Sequence, residues 1–343
     1  MAHTRLKVLV SHVSPELQPQ VCSDEDADTA EVNEVGSTAF LVNGWRAMQG
    51  GFIPCFEGAS EKGMQYIKEW EEIRETVPTL FFDSFSQIFF NEYTWKILES
   101  FAQNEKYSAM DDKGMGMGLR TVFIDNQVKE AIAAGTKQVV YLGAGLDTKA
   151  LRLHSPDVAS FEVDQKPVLG YKTKKLTEAG FPVYPAKLIM ANYFEIDLFA
   201  ELQKAGLDLS APTVFVWEGN SMYIPPDMSK QLLHTLFEKV PRATVVFDSI
   251  TGEGDPDIDS KLQVFYDVMN EGKIMFPGRG DAEMFAEFAG AKVQKSLNCD
   301  AIAKEILGSS EAVHPYLGAG SHPERVNSWK AFGTYYFLNV IAK

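Results

Sequence analysis

The stretch Val139–Leu153, VVYLGAGLDTKALRL, carries the strongest structural signal in the chain. A short apolar run, typical of a buried strand, leads into two glycines one residue apart, and the pattern then becomes helical. Gly143 and Gly145 lack a Cβ, so the backbone here can approach a ligand closely and adopt dihedral angles that other residues avoid. Three interpretations are open at this point: a dinucleotide loop, a loop for another nucleoside, or a turn without a ligand.

Around this loop the sequence alternates between strand and helix patterns. Five apolar runs predict strands at residues 138–142, 160–164, 186–190, 213–219 and 243–249. Helical patterns separate them, which predicts a parallel sheet with right-handed crossovers. The C-terminal tail adds two further strand-like runs, KVQKSLN and FGTYYFLNVIA, separated by a long polar connection.

The sequence divides into three parts. Residues 1–35 are acidic and irregular and predict a loose arm. Residues 36–118 predict a helical N-terminal cap or lid, with helices over STAFLVNGWRAMQG and EKGMQYIKEWEEIRETVP. Residues 119–343 carry the sheet, with a substrate-cap insertion at about 255–290. The run GMGMG at 114–118 follows no strand, so we expect a flexible segment leading into the next helix and not a phosphate loop.

Composition excludes several classes of function. The chain has 343 residues, of which 45% are hydrophobic, enough to bury a sizeable core. Its net charge of -15 argues against nucleic acid as a partner. Three separated cysteines without CxxC spacing argue against a disulfide framework or a zinc site. The N-terminal apolar run is too short for a signal peptide or a membrane span, so we expect a cytoplasmic protein with no membrane partner and no metal.

The residues around the glycine loop bear on the type of ligand. Asp164 closes the second predicted strand, where a carboxylate can accept the hydroxyls of a ribose. A dinucleotide fingerprint requires a third glycine where Thr148 stands. Asp147, near the start of the helix, is an unfavourable neighbour for a pyrophosphate. This pattern favours a nucleoside without phosphates, such as S-adenosylmethionine, although Asp147 and Thr148 are also compatible with a helix cap.

Several motifs together resemble one known family. QVVYLGAGLDTKALRL, FEVDQKPVL and VWEGNSMYIPPD are similar to motifs of the leucine carboxyl methyltransferase family, which includes protein phosphatase methyltransferases and many small-molecule O-methyltransferases of bacteria and fungi. STAFLVNGWRA is similar to the N-terminal helix of the bacterial branch. The resemblance implies an α/β class I methyltransferase (Rossmann-like) fold. Its seven-stranded, mostly parallel sheet has an antiparallel last strand, and it carries a helical N-terminal block and a helical lid insertion.

The resemblance also implies roles in binding S-adenosyl-L-methionine. Arg120, in the helix before the first strand, would bind the methionine carboxylate, which suits the geometry of a guanidinium group. Gly143 and Gly145 would form the loop under the cofactor, and Asp164 would bind the ribose. Glu218 would lie near the methionine ammonium or sulfonium. From the residues alone, Arg120 is also compatible with a solvated helix position.

One segment departs from the family pattern. The family usually has an acid-leucine pair beside the adenine after the third strand, whereas this chain has Asn192 and Tyr193, with Asp197 further on. Asn192 could still pair with the adenine amino group. Arg46 best matches the N-terminal cationic residue of the family. Arg46 and Tyr223 are the candidates for orienting the substrate, although Tyr223 is also compatible with a packing role.

The sequence contains no Ser-His-Asp constellation and indicates no general base. A carboxylate acceptor is ionised at neutral pH and needs no base, whereas a hydroxyl reacts better with one. We therefore predict an O-methyltransferase that methylates a carboxylate, or a hydroxyl, of a small molecule by in-line transfer. Two alternatives stay open: a protein C-terminal leucine carboxyl methyltransferase acting on a phosphatase-like partner, and a non-catalytic cofactor-binding protein.

Overall fold

The computed structural model describes residues 35–54, 59–103, 113–251, 281–318, 320, 323–333 and 335–343. The predicted acidic arm, except for Val35, lies outside the described residues. The same is true of residues 255–280 of the predicted insertion.

A seven-stranded sheet forms the centre of the molecule, in the order β3-β2-β1-β4-β5-β7-β6. Its strands are β1 Gln138–Leu142, β2 Ala159–Asp164, β3 Ala186–Met190, β4 Thr213–Trp217, β5 Ala243–Ile250, β6 Lys292–Asn298 and β7 Tyr336–Ala342. The first five strands pair in parallel, and β7 runs antiparallel to both β5 and β6. The predicted mostly parallel sheet with an antiparallel last strand is therefore confirmed.

Helices cover the sheet and form the N-terminal part of the chain. In chain order they are α1 Ser37–Gln49, α2 Glu61–Thr76, α3 Glu92–Gln103, α4 Met115–Ala133, α5 Lys149–Arg152, α6 Lys166–Glu178, α7 Leu198–Lys204, α8 Pro226–Lys239, α9 Ala282–Ala289, α10 Cys299–Leu307 and α11 Glu324–Gly333. Short 3-10 turns lie at Ser86–Phe89, Ser221–Tyr223 and Glu311–Leu317. Every residue of β1 and β4 is buried, as expected for central strands covered on both faces.

The last strand begins later than the sequence indicates. Residues 332 and 333 of the run FGTYYFLNVIA belong to the end of α11, and β7 starts at Tyr336. Tyr336 pairs with Ile250, the last residue of β5. Just before it, the carbonyl of Tyr335 still accepts a hydrogen bond from the Thr251 amide at 2.7 Å.

The GMGMG run does not form a separate segment. Gly114 caps the N-terminus of α4 with φ of 62°, and residues 115–118 form the first turn of that helix. A Cβ on Gly114 would lie 2.3 Å from Cγ of Trp45, and one on Gly118 would lie 2.8 Å from Cδ1 of Leu80. The glycines therefore allow α1 and the loop after α2 to pack directly against the backbone of α4.

The N-terminal helical block, α1 to α3 with the intervening 3-10 turn, has its own aromatic core. Phe40, Trp70, Phe89 and Phe101 are almost fully buried there. The aromatic-rich residues 81–95 contribute buried side chains to it. No helix in the described residues is long and apolar enough to cross a membrane.

Candidate functional site

A cavity of about 460 Å³ lies at the carboxyl ends of β1, β2 and β4, covered by α1. In an open parallel sheet, ligands bind at this edge, where the strand order reverses, here between β1 and β4. The lining from the sheet loops includes Gly143, Gly145, Asp164, Glu218, Asn220 and Tyr223. The lining from the helices includes Thr38, Ala39, Val42, Arg46 and Arg120.

Both glycines of the loop after β1 adopt the left-handed conformation, with φ of 66° at Gly143 and 51° at Gly145. A Cβ on Gly143 would lie 1.9 Å from Nδ2 of Asn220, so a side chain would clash as well as strain the backbone. At Gly145 no described atom lies within 4 Å of such a Cβ. Glycine is needed at position 143 because Asn220 approaches the backbone closely, and at position 145 because the turn requires a positive φ.

Asp164 ends β2 and faces the glycine loop. Its Oδ2 accepts a hydrogen bond from the Gly145 amide at 2.7 Å, and its Oδ1 accepts one from the Gln165 amide at 2.7 Å. Burial raises the pKa of Asp164, although these two amides partly offset the effect. An ionised carboxylate has about four acceptor positions, so about two remain for a ligand that donates hydroxyl groups.

Glu218 follows β4 and forms the centre of a buried charge cluster. Nη2 of Arg46 lies 3.0 Å and Nε of Arg120 lies 2.8 Å from its Oε1, and Lys149 contacts its Oε2. Burial alone would raise the pKa of Glu218, but these three cations outweigh burial and hold it below its usual value. Glu218 is therefore ionised at neutral pH.

Two further carboxylates complete the cluster. Asp147 lies 2.9 Å from Nη2 of Arg46 and 2.5 Å from Nζ of Lys149. Asp248 accepts a hydrogen bond from Nη1 of Arg120 at 2.9 Å. Burial would raise the pKa of Asp147, but Arg46 and Lys149 hold it well below its usual range. Three cations and three carboxylates balance one another, which is how so many charges can be buried together.

Two guanidinium nitrogens remain for a ligand. Arg46 uses Nε toward Thr121 and Nη2 toward carboxylates, so its Nη1 has no hydrogen-bond partner among the described residues. Arg120 uses Nε toward Glu218 and Nη1 toward Asp248. Its Nη2 is likewise without a partner in the described part of the chain. Both side chains line the cavity, so their remaining N–H groups can bind an anionic group.

The structure brings most residues singled out from the sequence to this cavity. Those that line it are Arg46, Arg120, Gly143, Gly145, Asp164, Glu218 and Tyr223. Asp147 accepts hydrogen bonds from the amide and from Nζ of Lys149 and forms an ion pair with Arg46, so it braces the loop at the start of α5. Thr148 is fully buried, and its hydroxyl donates to Asp83 at 2.7 Å.

Asn192 and Tyr193 do not line this cavity. Nδ2 of Asn192 donates to Oε1 of the exposed Glu195 at 3.0 Å, a contact within the loop after β3. Tyr193 is buried, and its hydroxyl accepts a hydrogen bond from Nε1 of Trp217 at 3.1 Å. Asp197 caps α7 by accepting from the Ala200 amide at 3.1 Å.

Sequence reasoning missed three residues of the site: Lys149, Asn220 and Asp248. Asp248 carries a usable signal, since it interrupts the apolar strand ATVVFDSI, and an acid buried there must be paired. Lys149 shows no such signal, because lysine is common in exposed helices. Asn220 is identifiable only through its approach to Gly143, which depends on the folded loops.

The sheet order and the position of the cavity define the class I methyltransferase fold. A solved structure with this fold is a DUF574 family protein from Streptomyces avermitilis. It is 14% identical to this chain, with a TM-score of 0.50, and the match covers 74% of this chain and 92% of that one. At this identity the likeness shows the fold alone.

Sequence comparison finds a family match over part of the chain. Residues 68–237 match the family described as leucine carboxyl methyltransferase. A protein of Mycobacterium ulcerans, described provisionally as an S-adenosyl-L-methionine-dependent methyltransferase, is 32% identical over 184 residues, 53% of this chain and 59% of the relative. One of Mycobacterium avium with the same description is 28% identical over 238 residues, 69% of this chain and 73% of the relative. The chain thus spans less than two thirds of the length of the Mycobacterium ulcerans protein.

Proposed function

We propose that this chain binds S-adenosyl-L-methionine and methylates an oxygen of a small molecule, preferably a carboxylate. The observation that carries the proposal is the combination of polar groups on one cavity. Asp164 offers acceptor positions, while Arg46 and Arg120 offer free N–H donors. A ligand that fits must have hydroxyl donors at one end and an anionic group at the other. The names of the mycobacterial relatives support the same cofactor.

The residues present fit this cofactor group by group. Asp164 would accept the ribose hydroxyls, since its two amide contacts leave about two acceptor positions. Nη2 of Arg120 would donate to the methionine carboxylate. Gly143 would allow the ligand to lie against the loop backbone, because no Cβ stands in its way. The saturated Glu218 would act mainly by holding both arginines in place.

When bound, S-adenosyl-L-methionine would supply a methyl group carried by a sulfonium sulfur. After the transfer that sulfur is a neutral thioether, so no acid is needed to stabilise the leaving group. The chain's own contribution would be to align the acceptor and to exclude water. Ala39 and Val42 of α1 close the cavity with small apolar side chains. Nη1 of Arg46 would orient the acceptor through a hydrogen bond to its carboxylate.

The absence of an unoccupied base in the described lining supports a carboxylate acceptor. The described lining contains no histidine, and its carboxylates, Asp147, Asp164 and Glu218, all accept hydrogen bonds or form ion pairs. A hydroxyl acceptor would gain from a base that takes its proton. A carboxylic acid is already ionised at neutral pH, so orientation by Arg46 is sufficient.

A labelling experiment tests this function. The full chain is incubated with methyl-labelled S-adenosyl-L-methionine and either a panel of carboxylic acids, phenols and alcohols or a cell extract. We expect label in extractable, base-labile esters of small acids, and none with Asp164→Ala. Label in a protein band would instead identify a protein carboxyl methyltransferase. Cofactor binding without any turnover on the panel or in the extract would identify a non-catalytic binding protein.

A further inference from the structure

Asp248, in β5, is a fully buried carboxylate with three hydrogen-bond donors around it. Its Oδ2 accepts from Nη1 of Arg120 at 2.9 Å and from the hydroxyl of Tyr336 at 2.9 Å. Its Oδ1 accepts from the amide of Gly219 at 2.7 Å. The carboxylate therefore joins α4, β7 and the loop after β4 at one point beneath the cavity.

These contacts fix the orientation of a guanidinium group. Arg120 forms an ion pair with Glu218 at Nε and donates a hydrogen bond from Nη1 to Asp248, and the group is planar and rigid. With Nε and Nη1 engaged by these two carboxylates, Nη2 is the nitrogen left to face the cavity. The hydrogen bond from the Gly219 amide to Asp248 holds the turn that follows Glu218. Asp248 therefore also helps to position Glu218, the other carboxylate that contacts Arg120.

We propose that Asp248, supported by Tyr336, is a positioning residue that aims Nη2 of Arg120 at the carboxylate of the bound cofactor. The inference rests on the proposed function and goes beyond it. Asp248 does not line the cavity and acts only through Arg120. Without its charge, Arg120 can turn both its outer nitrogens toward Glu218, and the donor to the ligand is lost.

This role predicts a loss of affinity that depends on the ligand. S-adenosylhomocysteine carries the amino-acid carboxylate, whereas 5′-methylthioadenosine keeps the nucleoside and lacks that carboxylate. Asp248→Asn should weaken S-adenosylhomocysteine binding by about tenfold or more, as expected for a lost charge-assisted hydrogen bond. Tyr336→Phe should weaken it by a smaller factor, roughly threefold, because the negative charge of Asp248 remains. Binding of 5′-methylthioadenosine should not change in either variant.

Calorimetric titration of the full chain with both ligands measures these affinities, and thermal unfolding without ligand measures stability. Ser249→Ala is the matched control. Ser249 is the next residue of β5, points to the opposite face, and accepts a buried hydrogen bond from Asn339 at 2.9 Å. The control should lower the melting temperature but leave the ratio of the two affinities unchanged.

Two results would overturn the inference while leaving the proposed function intact. One is an equal loss for both ligands in Asp248→Asn and Tyr336→Phe, and the other is no loss for either ligand. If Asp248→Asn does not fold, the affinity ratio of Tyr336→Phe alone gives the answer. A wild-type chain that binds neither ligand would overturn the proposed function itself.

Discussion

Asp164 is the side chain on which the proposed cofactor site depends most. It is held by the amides of Gly145 and Gln165, so its carboxylate is already oriented toward the loop before a ligand arrives. Preorganisation of this kind lowers the entropic cost of binding. These two amides leave about two of its acceptor positions open to a ligand.

Asp164→Ala should therefore weaken S-adenosylhomocysteine binding by about 100-fold with little effect on folding, since lost hydrogen bonds to a charged group cost a few kcal/mol. Calorimetry gives the affinity, and thermal unfolding gives the stability. Asp197→Ala is a suitable control, because it removes the cap of α7 and Asp197 is not among the lining residues. It should lower stability by about 1 kcal/mol and leave the affinity unchanged. Unchanged binding in Asp164→Ala would rule out the ribose assignment.

The pH dependence of binding should follow the same carboxylate. Burial raises the pKa of Asp164, so it takes up a proton at a higher pH than an ordinary aspartate. The pKa values of Asp147 and Glu218 are shifted downward, so both stay ionised in that range. S-adenosylhomocysteine affinity should thus fall as the pH drops from neutral through the raised pKa of Asp164. Asp164→Asn should not show this fall, and an identical fall in that variant would assign it to another group.

The glycine loop and Asp164 can be predicted from the sequence better than the charge cluster around Arg120 and Glu218. Gly143, Gly145 and Asp164 lie within one strand-helix-strand unit, so their order in the chain reflects their position in space. Asp248 contacts Arg120, which lies 128 positions earlier in the chain, and Tyr336, which lies 88 positions later. No local sequence pattern indicates contacts between residues so far apart. Asn192 stands in a segment where this chain departs from the family pattern, so the resemblance is a weak guide to the position of its side chain.

Among the elements, the strands were the most predictable. Central strands such as β1 and β4 are apolar throughout because both of their faces are covered, which makes them visible as short apolar runs. The local pattern of the glycines before Arg120 predicts a flexible segment, because glycine is a poor helix former, whereas residues 115–118 form the first turn of α4. Their reason for being in α4 is the close approach of Trp45, a tertiary contact that a local pattern does not contain.

Helix α2 is attached to the rest of the molecule through Glu69. Its Oε2 lies 2.8 Å from Nζ of the fully buried Lys113 and 2.9 Å from Nη2 of Arg325. Burial would raise the pKa of Glu69, but Lys113 and then Arg325 outweigh it and lower the pKa to about 2. A carboxyl whose pKa is lowered in the folded state contributes stability above its unfolded pKa. That contribution is lost as the pH falls through the folded value.

Glu69→Gln should consequently lower the melting temperature at neutral pH and flatten its decline between about pH 4.5 and about pH 2. Thermal unfolding at a series of pH values measures both effects. Glu72→Gln, on the exposed side of the same helix, should leave the curve unchanged. If Glu69→Gln declines with acid as steeply as the wild type, the ion pairs of Glu69 do not contribute to stability.

Across the whole molecule, the N-terminal helical block and the sheet share one apolar core. Buried side chains of α1 and α3 pack with Leu151 of α5 and with Tyr171 of α6. Asp83 adds a polar connection: it is buried, accepts from Thr148 at 2.7 Å and lies 3.2 Å from Nε of Arg152. Helix α1, which covers the cavity, and the sheet loops that line it are therefore parts of one packed unit.

This packing predicts a single cooperative unfolding transition. Tryptophan fluorescence and far-ultraviolet circular dichroism should report the same urea midpoint, as two-state unfolding requires. Asp83→Ala should lower the free energy of unfolding by about 3 kcal/mol, because it leaves Arg152 with one buried partner fewer. Asp157→Ala, at an exposed position, should change it by less than about 0.5 kcal/mol. A fluorescence transition at lower urea would show that the helical block unfolds separately.

Titration of the wild-type chain with S-adenosylhomocysteine and, in parallel, with NAD tests the central claim most directly. The glycine loop lacks the third glycine of a dinucleotide site, and the cavity offers one carboxylate for a ribose and two guanidinium groups for a carboxylate. Calorimetry should show saturable binding of S-adenosylhomocysteine at one site per chain and no saturable heat with NAD. Saturable binding of NAD without binding of S-adenosylhomocysteine would contradict the account.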